Sequence, residues 1–164
     1  MLKNEDLDIR SLAWSNVYVL IDKSIVTAEE IKYYTGLSLE MLKNEDLYIR
    51  YPAWYNVDKL IDESIVTAEE IKYYKGLFLE MLKNKNLSIR NSAWINVYSL
   101  IDRGIITKDD QAYFLELLKN KNLDIRHSAW DNEYWLIYKG VVTAEEVNKR
   151  YEYNTTRIGM SESP

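Results

Sequence analysis

The stretch LDIRSLAWSN (residues 7–16) follows a pattern, Leu-x-Ile-Arg-x-x-Ala-Trp-x-Asn, that the chain repeats three more times. The later copies begin at Leu47, Leu87 and Leu123, at spacings of 40, 40 and 36 residues. A fixed period of this length is typical of proteins in which one supersecondary unit stacks on the next. The repeat therefore predicts an architecture, although it names neither a partner nor a biological process.

Each copy of the motif predicts a first helix of about sixteen residues. Asp or Asn, both good N-cap residues, precedes the leucine, as Asp6 does in copy one, where the helix should end near Asp22. The equivalent caps are Asp46, Asn86 and Asn122. Gly104 and Gly140 follow the helix in copies three and four, where a left-handed residue favours glycine, while copies one and two carry Ser24 and Ser64.

A second helix follows in each copy. Thr27 and Glu30 have capping-box spacing, and the helix should reach about Lys43. The box recurs as Thr67–Glu70, Thr107–Asp110 and Thr143–Glu146, with helix ends expected near Lys83, Lys119 and Tyr153. Gly36 and Gly76 inside this helix predict a kink or a close helix crossing.

The first helix has a constant half and a varied half. Copies one and two, residues 1–40 and 41–80, differ at nine positions, and seven of these lie on one side of the first helix: 8, 11, 12, 15, 18, 19 and 23. The constant half carries Ile, Ala, Val and Leu at helical spacing, which indicates the packing face. We expect the repeated Trp to wedge between hairpins rather than form a binding ladder.

Two polar residues recur in the constant half. A buried Asn16 amide and its copies must be hydrogen-bonded, and backbone carbonyls of the adjacent hairpin are the expected acceptors. Arg10 and its copies also point inward and need partners, for which the cap of the next copy, such as Asp46, is the candidate.

The varied half should face solvent, and it is unusually aromatic. Its large rings are Tyr18, Tyr48, Tyr51, Tyr55, Tyr98, Tyr134 and Trp135. Such side chains anchor protein interfaces, so partner binding and neutral drift of an exposed surface are equally good interpretations. Pro52 removes a helix hydrogen bond and should distort the second copy among these tyrosines.

The Ile-Arg pair, the following alanine and the spaced aliphatics in paired helices resemble HEAT-like repeats of the armadillo-type class. The resemblance covers about residues 2–153 and implies an all-α, right-handed α-α solenoid of about eight helices in four stacked helical hairpins. The repeats would be approximately 1–40, 41–80, 81–117 and 118–153 of a single domain, 1–153, with a flexible tail at 154–164. In such solenoids the helix with the Ile-Arg pair generally lines the concave surface, which would place the Tyr-rich half there.

Composition narrows the functional classes. The net charge is −5, and no basic footprint of the kind that binds phosphates is visible, so a nucleic-acid partner is disfavoured. There is no cysteine, no signal-peptide pattern and no apolar run long enough to span a bilayer. We therefore expect a cytoplasmic protein without a membrane partner.

Catalytic chemistry is not indicated. The one histidine, His127, has Asp131 four residues on, a spacing that is usually incidental on a helix surface. No second histidine, phosphate-binding loop or nucleophile elbow is present, so we expect no enzyme activity, metal or cofactor.

Three functions are compatible with these observations. The leading one is a non-catalytic protein–protein interaction or scaffold module that binds a protein or peptide through the Tyr-rich varied half. The second is a HEAT-like nucleic-acid-binding or DNA-base repair protein, which the acidic charge opposes. The third is a homodimer formed through an uncapped solenoid end, since the sequence begins partway through a repeat and leaves the helix with Trp14 and Ile21 without a neighbour.

Overall fold

The computed structural model describes residues 2–148, and all regular secondary structure in this part of the chain is helical, with no strand. The all-α prediction is confirmed there. The chain divides after Ile105 into two compact units. The predicted tail at 154–164 and the predicted helix end near Tyr153 lie outside the described residues.

The first unit contains three copies of the motif. Its helices are α1 (Leu7–Ser15), α2 (Val17–Asp22), α3 (Ala28–Lys32), α4 (Thr35–Leu42), α5 (Leu47–Tyr55), α6 (Val57–Asp62), α7 (Ala68–Tyr73), α8 (Lys75–Met81) and α9 (Leu87–Asp102). Helix α5 packs against α1, α4 and α9, and α9 also packs against α8. The motif helices of consecutive copies are therefore neighbours in space.

The second unit contains the fourth copy. It consists of a 3-10 helix (Lys108–Asp110), α10 (Gln111–Leu118), α11 (Leu123–Asp131), α12 (Glu133–Tyr138) and a helical stretch at 144–148. Helix α10 packs against α11 and against the 3-10 helix that precedes it.

The predicted caps are confirmed in every copy. The Asp6 carboxylate accepts the Asp8 backbone N–H at 2.9 Å, and Thr27 and Glu30 bond each other's backbone amide groups. The other caps are Asp46, Asn86 and Asn122, and the other boxes are Thr67–Glu70, Thr107–Asp110 and Thr143–Glu146. These side chains satisfy backbone N–H groups that a helix start leaves free.

The expected eight uninterrupted helices are not what forms. A sixteen-residue first helix exists only as α9, whereas the other copies break at Asn16, Asn56 and Asn132. At each break the asparagine Nδ2 donates to the carbonyl four residues earlier, at 2.7 to 2.9 Å. The asparagine N–H at each break bonds the carbonyl three residues back. Asn96 makes the same side-chain bond, to Ser92, inside the unbroken α9, so this bond alone does not end a helix.

The second helices of copies one and two are also broken. The breaks lie at Tyr33–Tyr34 and at Tyr74, two residues before Gly36 and Gly76, so the helix is interrupted close to the position of the predicted kink. A Cβ built on either glycine meets nothing within 4 Å, and the alternative prediction of a close helix crossing is therefore wrong.

Four helix ends adopt the left-handed conformation predicted for glycine. Gly104 and Gly140 have φ of 67° and 73°, and Ser24 and Ser64 have φ of 53° and 55°. The backbone N–H groups that follow close a Schellman motif on the last turn. A serine holds this conformation at a steric cost that glycine does not have.

The repeated tryptophans are packing residues, as predicted. Trp14 and Trp54 are almost fully buried, and the Trp54 ring contacts Phe78 at 4.9 Å. The Trp54 Nε1–H donates to the Leu42 carbonyl at 3.1 Å. Leu42 is the last residue of α4, so the indole satisfies a carbonyl that the helix end leaves free. Trp14 and Trp130 make the same bond to Leu2 and Leu118.

The prediction that the cap residue of the next copy is the partner of each repeated arginine is wrong for Arg10. Among the described residues, Arg10 forms no ion pair with Asp46, whose carboxylate instead caps α5. Two of the repeated arginines bond a backbone carbonyl instead. Arg90 Nη1 donates to the Asn84 carbonyl at 2.7 Å, and Arg126 Nη1 donates to the Asn120 carbonyl at 2.8 Å. The guanidinium therefore braces the turn before its own helix.

Pro52 lies inside α5 without ending it. A proline has no N–H, so the Tyr48 carbonyl four residues earlier loses its helix donor. The Ser11 hydroxyl of the preceding copy donates to that carbonyl at 3.3 Å. Ser11 is buried, and the prediction that position 11 faces solvent is therefore wrong. The serine at position 11 of copy one therefore compensates for the hydrogen bond that Pro52 removes from copy two.

Replacing the left-handed serine should stabilise the first unit. We expect Ser64→Gly to raise the free energy of unfolding by about 0.5–1 kcal/mol, because glycine adopts positive φ without a Cβ penalty. Urea unfolding followed by circular dichroism measures the change. The matched control is Gly104→Ser, which should lower stability, and a Ser64→Gly protein no more stable than the parent would contradict the explanation.

The Ser11–Pro52 compensation can be measured by a double-mutant cycle. Ser11→Ala should cost about 1 kcal/mol when Pro52 is present, because it leaves the Tyr48 carbonyl without a donor. In the Pro52→Ala protein the new N–H serves that carbonyl, so Ser11→Ala should have almost no effect. Urea unfolding of the four proteins gives the coupling energy, and equal effects of Ser11→Ala in both backgrounds would refute it.

Candidate interaction surface

The seven aromatic residues predicted to bind a partner occur in both units. They are Tyr18 on α2, Tyr48, Tyr51 and Tyr55 on α5, Tyr98 on α9, and Tyr134 and Trp135 on α12. Six of them are exposed, and Tyr51 is half-buried. The structure brings some of them together and separates others.

In the first unit, three tyrosines form one cluster. The ring of Tyr55 meets Tyr18 of the preceding copy edge-on, at 6.4 Å between centroids, and lies 6.4 Å from Tyr51. The Tyr51 hydroxyl donates to Ser92 Oγ at 2.9 Å, in the following copy. Tyr51 therefore ties two copies together, which leaves Tyr18 and Tyr55 as the exposed members of the cluster.

Tyr48 and Tyr98 lie apart from this pair. Tyr48 is 74 % exposed near the start of α5, and Tyr98 is about half-exposed on α9. Neither belongs to the wall of the cavity that Tyr18 and Tyr55 border.

A cavity of about 370 Å³ opens beside Tyr18 and Tyr55. The exposed Ile95 side chain, one copy further on, completes an apolar wall. The polar lining consists of Asn56, Asn96, Asp58, Lys59 and Asp62. Residues from three consecutive copies therefore form one concave surface, which we call the Tyr18–Tyr55 groove.

Ion pairs cross between copies at the edge of the groove. Lys59 Nζ lies 2.7 Å from Asp22 and 2.9 Å from Glu63, and hydrogen bonds to Asp22 and Glu63 raise the pKa of Lys59. These contacts join copy two to copy one through residues of the varied half.

Arg103 makes the corresponding connection between copies three and two. It lies 2.8 Å from Asp58 and 2.9 Å from Asp62, and Asp58 also accepts a bond from the Ser99 hydroxyl. Desolvation opposes the charge of Arg103, but hydrogen bonds to Asp62 and Asp58 outweigh it and raise the pKa of the guanidinium. Part of the varied half therefore holds the copies together.

Asn56 is the one repeated asparagine that is buried, at 3 % exposure. Its Nδ2 donates to the Trp14 carbonyl of the preceding copy and to the Pro52 carbonyl, both at 2.9 Å. The predicted bond to an adjacent hairpin is confirmed for this residue, whereas Asn16 is exposed and bonds within its own helix. The Oδ1 of Asn56 has no hydrogen-bond partner in the described chain.

In the second unit, Tyr134 and Trp135 form a separate cluster with Tyr138. The Tyr134 and Tyr138 rings stack at 6.1 Å, and Trp135 meets each of them edge-on. Lys139 Nζ lies 5.7 Å from the Tyr138 ring centroid, within the range of a cation–π contact.

The only histidine in the sequence does not form the pair with Asp131 that its spacing allows. The His127 ring lies 5.2 Å from the Trp130 ring, whose face also contacts Arg126. Over residues 2–148, no three histidine or carboxylate side chains are placed to hold a metal ion together. Within the same range, none of the helices has the length and apolar character needed to cross a bilayer.

Comparisons with models of protein families, with curated proteins and with solved structures gave no match. The function must therefore be argued from the geometry of the chain itself.

Several residues of the groove were not predicted from the sequence. Asn56 was assigned to packing alone, and Ile95, Asp58 and Asp62 carried no signal by themselves. Contacts between copies join residues about one repeat apart, with Ser92 following Tyr51 and Arg103 following Asp62 by 41 residues. A comparison of residues 41 positions apart would have revealed the hydroxyl groups of Tyr51 and Ser92 and the opposite charges of Asp62 and Arg103.

Proposed function

We propose that this chain is a non-catalytic protein–protein interaction module whose four helical hairpins form a right-handed, HEAT-like α-solenoid. The packing of α1, α5 and α9 in sequence order supports this architecture, since a solenoid repeat contacts its immediate neighbours. The fixed period of the sequence motif supports the same arrangement for the fourth copy.

The Tyr18–Tyr55 groove is the observation that carries the function. Tyr18 and Tyr55 come from consecutive copies, contact each other and remain partly exposed beside a cavity. Isolated exposed aromatics need no explanation, but grouped rings on a concave surface are typical of binding sites. Tyrosine buries a large area at a low cost in conformational entropy, which suits it as an interface anchor.

A HEAT-like nucleic-acid or DNA-base repair function fits the groove less well. The carboxylates of Asp58 and Asp62 line the cavity, and they would repel phosphates. The net charge of −5 opposes such a partner over longer distances as well.

Removing the two exposed rings should abolish partner binding without unfolding the chain. We expect the double variant Tyr18→Ala, Tyr55→Ala to lose a protein that the parent chain captures from a lysate of its source organism. Affinity capture with quantitative mass spectrometry measures the loss, and circular dichroism checks the helical signal. Tyr73→Ala, which removes a more exposed ring outside the groove, is the control, and undiminished capture by the double variant would reject the proposed surface.

A second function, self-association, is favoured by the first copy. Ile9 and Ile25 are 44 % and 63 % exposed, whereas their counterparts Ile49 and Ile65 in copy two are each 3 % exposed. In copy two this surface lies where α5 packs against α1. The first copy therefore presents a surface suited to another helical hairpin of the same kind, which a second copy of this chain would supply.

Charge placed on that surface should prevent association. We expect a dimer mass for the parent chain at tens of micromolar and a monomer for Ile25→Glu, because a buried unpaired carboxylate is strongly unfavourable. Multi-angle light scattering measures both masses. Leu87→Glu, at an exposed position of copy three, should remain dimeric, and a monomeric parent chain would count against self-association.

A further inference from the structure

The Tyr18–Tyr55 groove is lined by a fixed, buried amide, that of Asn56. Asn56 lines the cavity and is 3 % exposed, and its Oδ1 has no partner among the described residues. Its Nδ2 already donates to two carbonyls, those of Trp14 and Pro52, so the orientation of the amide is fixed by its surroundings. The Oδ1 itself is covered by protein atoms, so Asn56 is a fixed part of the lining, and the charged and aromatic side chains around it are the groups that a ligand can reach.

The charges around the cavity are unbalanced in favour of carboxylates. Among the described residues, the ion pairs that border it contain four carboxylates and two cations. The carboxylates are those of Asp22, Asp58, Asp62 and Glu63, and the cations are Lys59 and Arg103. The Asp62 side chain is 61 % exposed, so it remains accessible although Arg103 contacts one of its oxygens. A cationic group entering the groove would therefore meet a net negative rim.

The walls of the cavity suit a flat cation. Tyr18 and Tyr55 present partly exposed rings, whose faces attract cations, especially guanidinium groups. A guanidinium also carries five N–H donors in a planar fork that matches the geometry of a carboxylate such as that of Asp62. An ammonium offers the same charge without the planar surface.

We propose that the Tyr18–Tyr55 groove binds an arginine side chain of the partner protein. The guanidinium lies against the exposed sides of the Tyr18 and Tyr55 rings and pairs with the Asp62 carboxylate. This inference rests on the proposed interaction function and adds the chemistry of the partner: an exposed, arginine-containing segment.

Direct titration of the full chain tests the pocket without knowledge of the partner. The probe is the blocked peptide acetyl-Ala-Arg-Ala-amide, and its matched analogues carry citrulline or lysine in place of arginine. In ¹⁵N–¹H NMR spectra at low salt, the arginine peptide should give saturable shifts of the Asn56 side-chain amide and of the Tyr55 and Asn96 backbone amides. The lysine peptide should bind more weakly, and the neutral citrulline peptide should show no saturation below about 10 mM.

Two variants separate the contributions of charge and ring. Asp62→Asn and Tyr55→Leu should each weaken binding of the arginine peptide by about fivefold or more, because each removes one attraction to the cation. Tyr48→Leu, at an exposed ring outside the groove, should leave binding unchanged. The same spectra report whether each variant remains folded, and Asp62 is exposed enough for its variant to keep the packing intact.

Three results would overturn the arginine pocket: equal binding of the arginine and citrulline peptides, shifts scattered outside the groove, or no saturable binding of the arginine peptide. If the Tyr18→Ala, Tyr55→Ala chain loses its captured partner while the arginine peptide fails to bind, the interaction surface stands and only the arginine pocket is rejected. If capture is unaffected and the peptide also fails, both proposals are rejected.

Discussion

The structure depends on satisfying backbone carbonyls at the joints between short helices. Each helix end or break leaves carbonyl groups without donors, and burying them unpaired would be costly. The recurring polar side chains serve this purpose: Trp54 bonds the Leu42 carbonyl, Arg90 bonds Asn84, and Asn56 bonds both Trp14 and Pro52. The polar residues of the motif recur because the same connection between helices recurs in each copy. The apolar residues of the motif bury additional surface around these hydrogen bonds.

This arrangement separates the residues that hold the copies together from those that are free to bind. Trp14, Trp54 and the repeated asparagines are occupied by backbone groups, so a ligand could use them only by displacing a bond. The Asn56 amide also belongs to the lining of a cavity, although its Oδ1 is covered by protein atoms. The groove thus combines a rigid structural amide with the exposed rings of Tyr18 and Tyr55.

The sequence was sufficient for features that depend on local chemistry. Caps such as Asp6, the Thr27–Glu30 box and the left-handed Gly104 follow from neighbouring residues in one helix, and each was predicted. Ser11 was misplaced because a helical-wheel analysis of one helix contains no information about the carbonyl that Pro52 leaves free in the next copy.

The groove was only partly predictable for the same reason. Tyr18 and Tyr55 stood out by residue type, whereas Ile95, Asp58 and Asp62 became meaningful only when three copies were placed side by side. The helix breaks at Asn16 and Asn56 were missed because helical periodicity continues across them, and the same asparagine stands inside the unbroken α9.

The pairing of Ser11 with Pro52 has a consequence for the modularity of the chain. Copies one and two are identical at all but nine of forty positions, and this similarity suggests interchangeable units. Yet a chain shortened by copy one would leave the Tyr48 carbonyl bare, and a chain with copy two duplicated would place Tyr51 where Ser11 now stands. Copy one carries the correction for copy two, so the order of these two copies is itself part of the information that the sequence encodes.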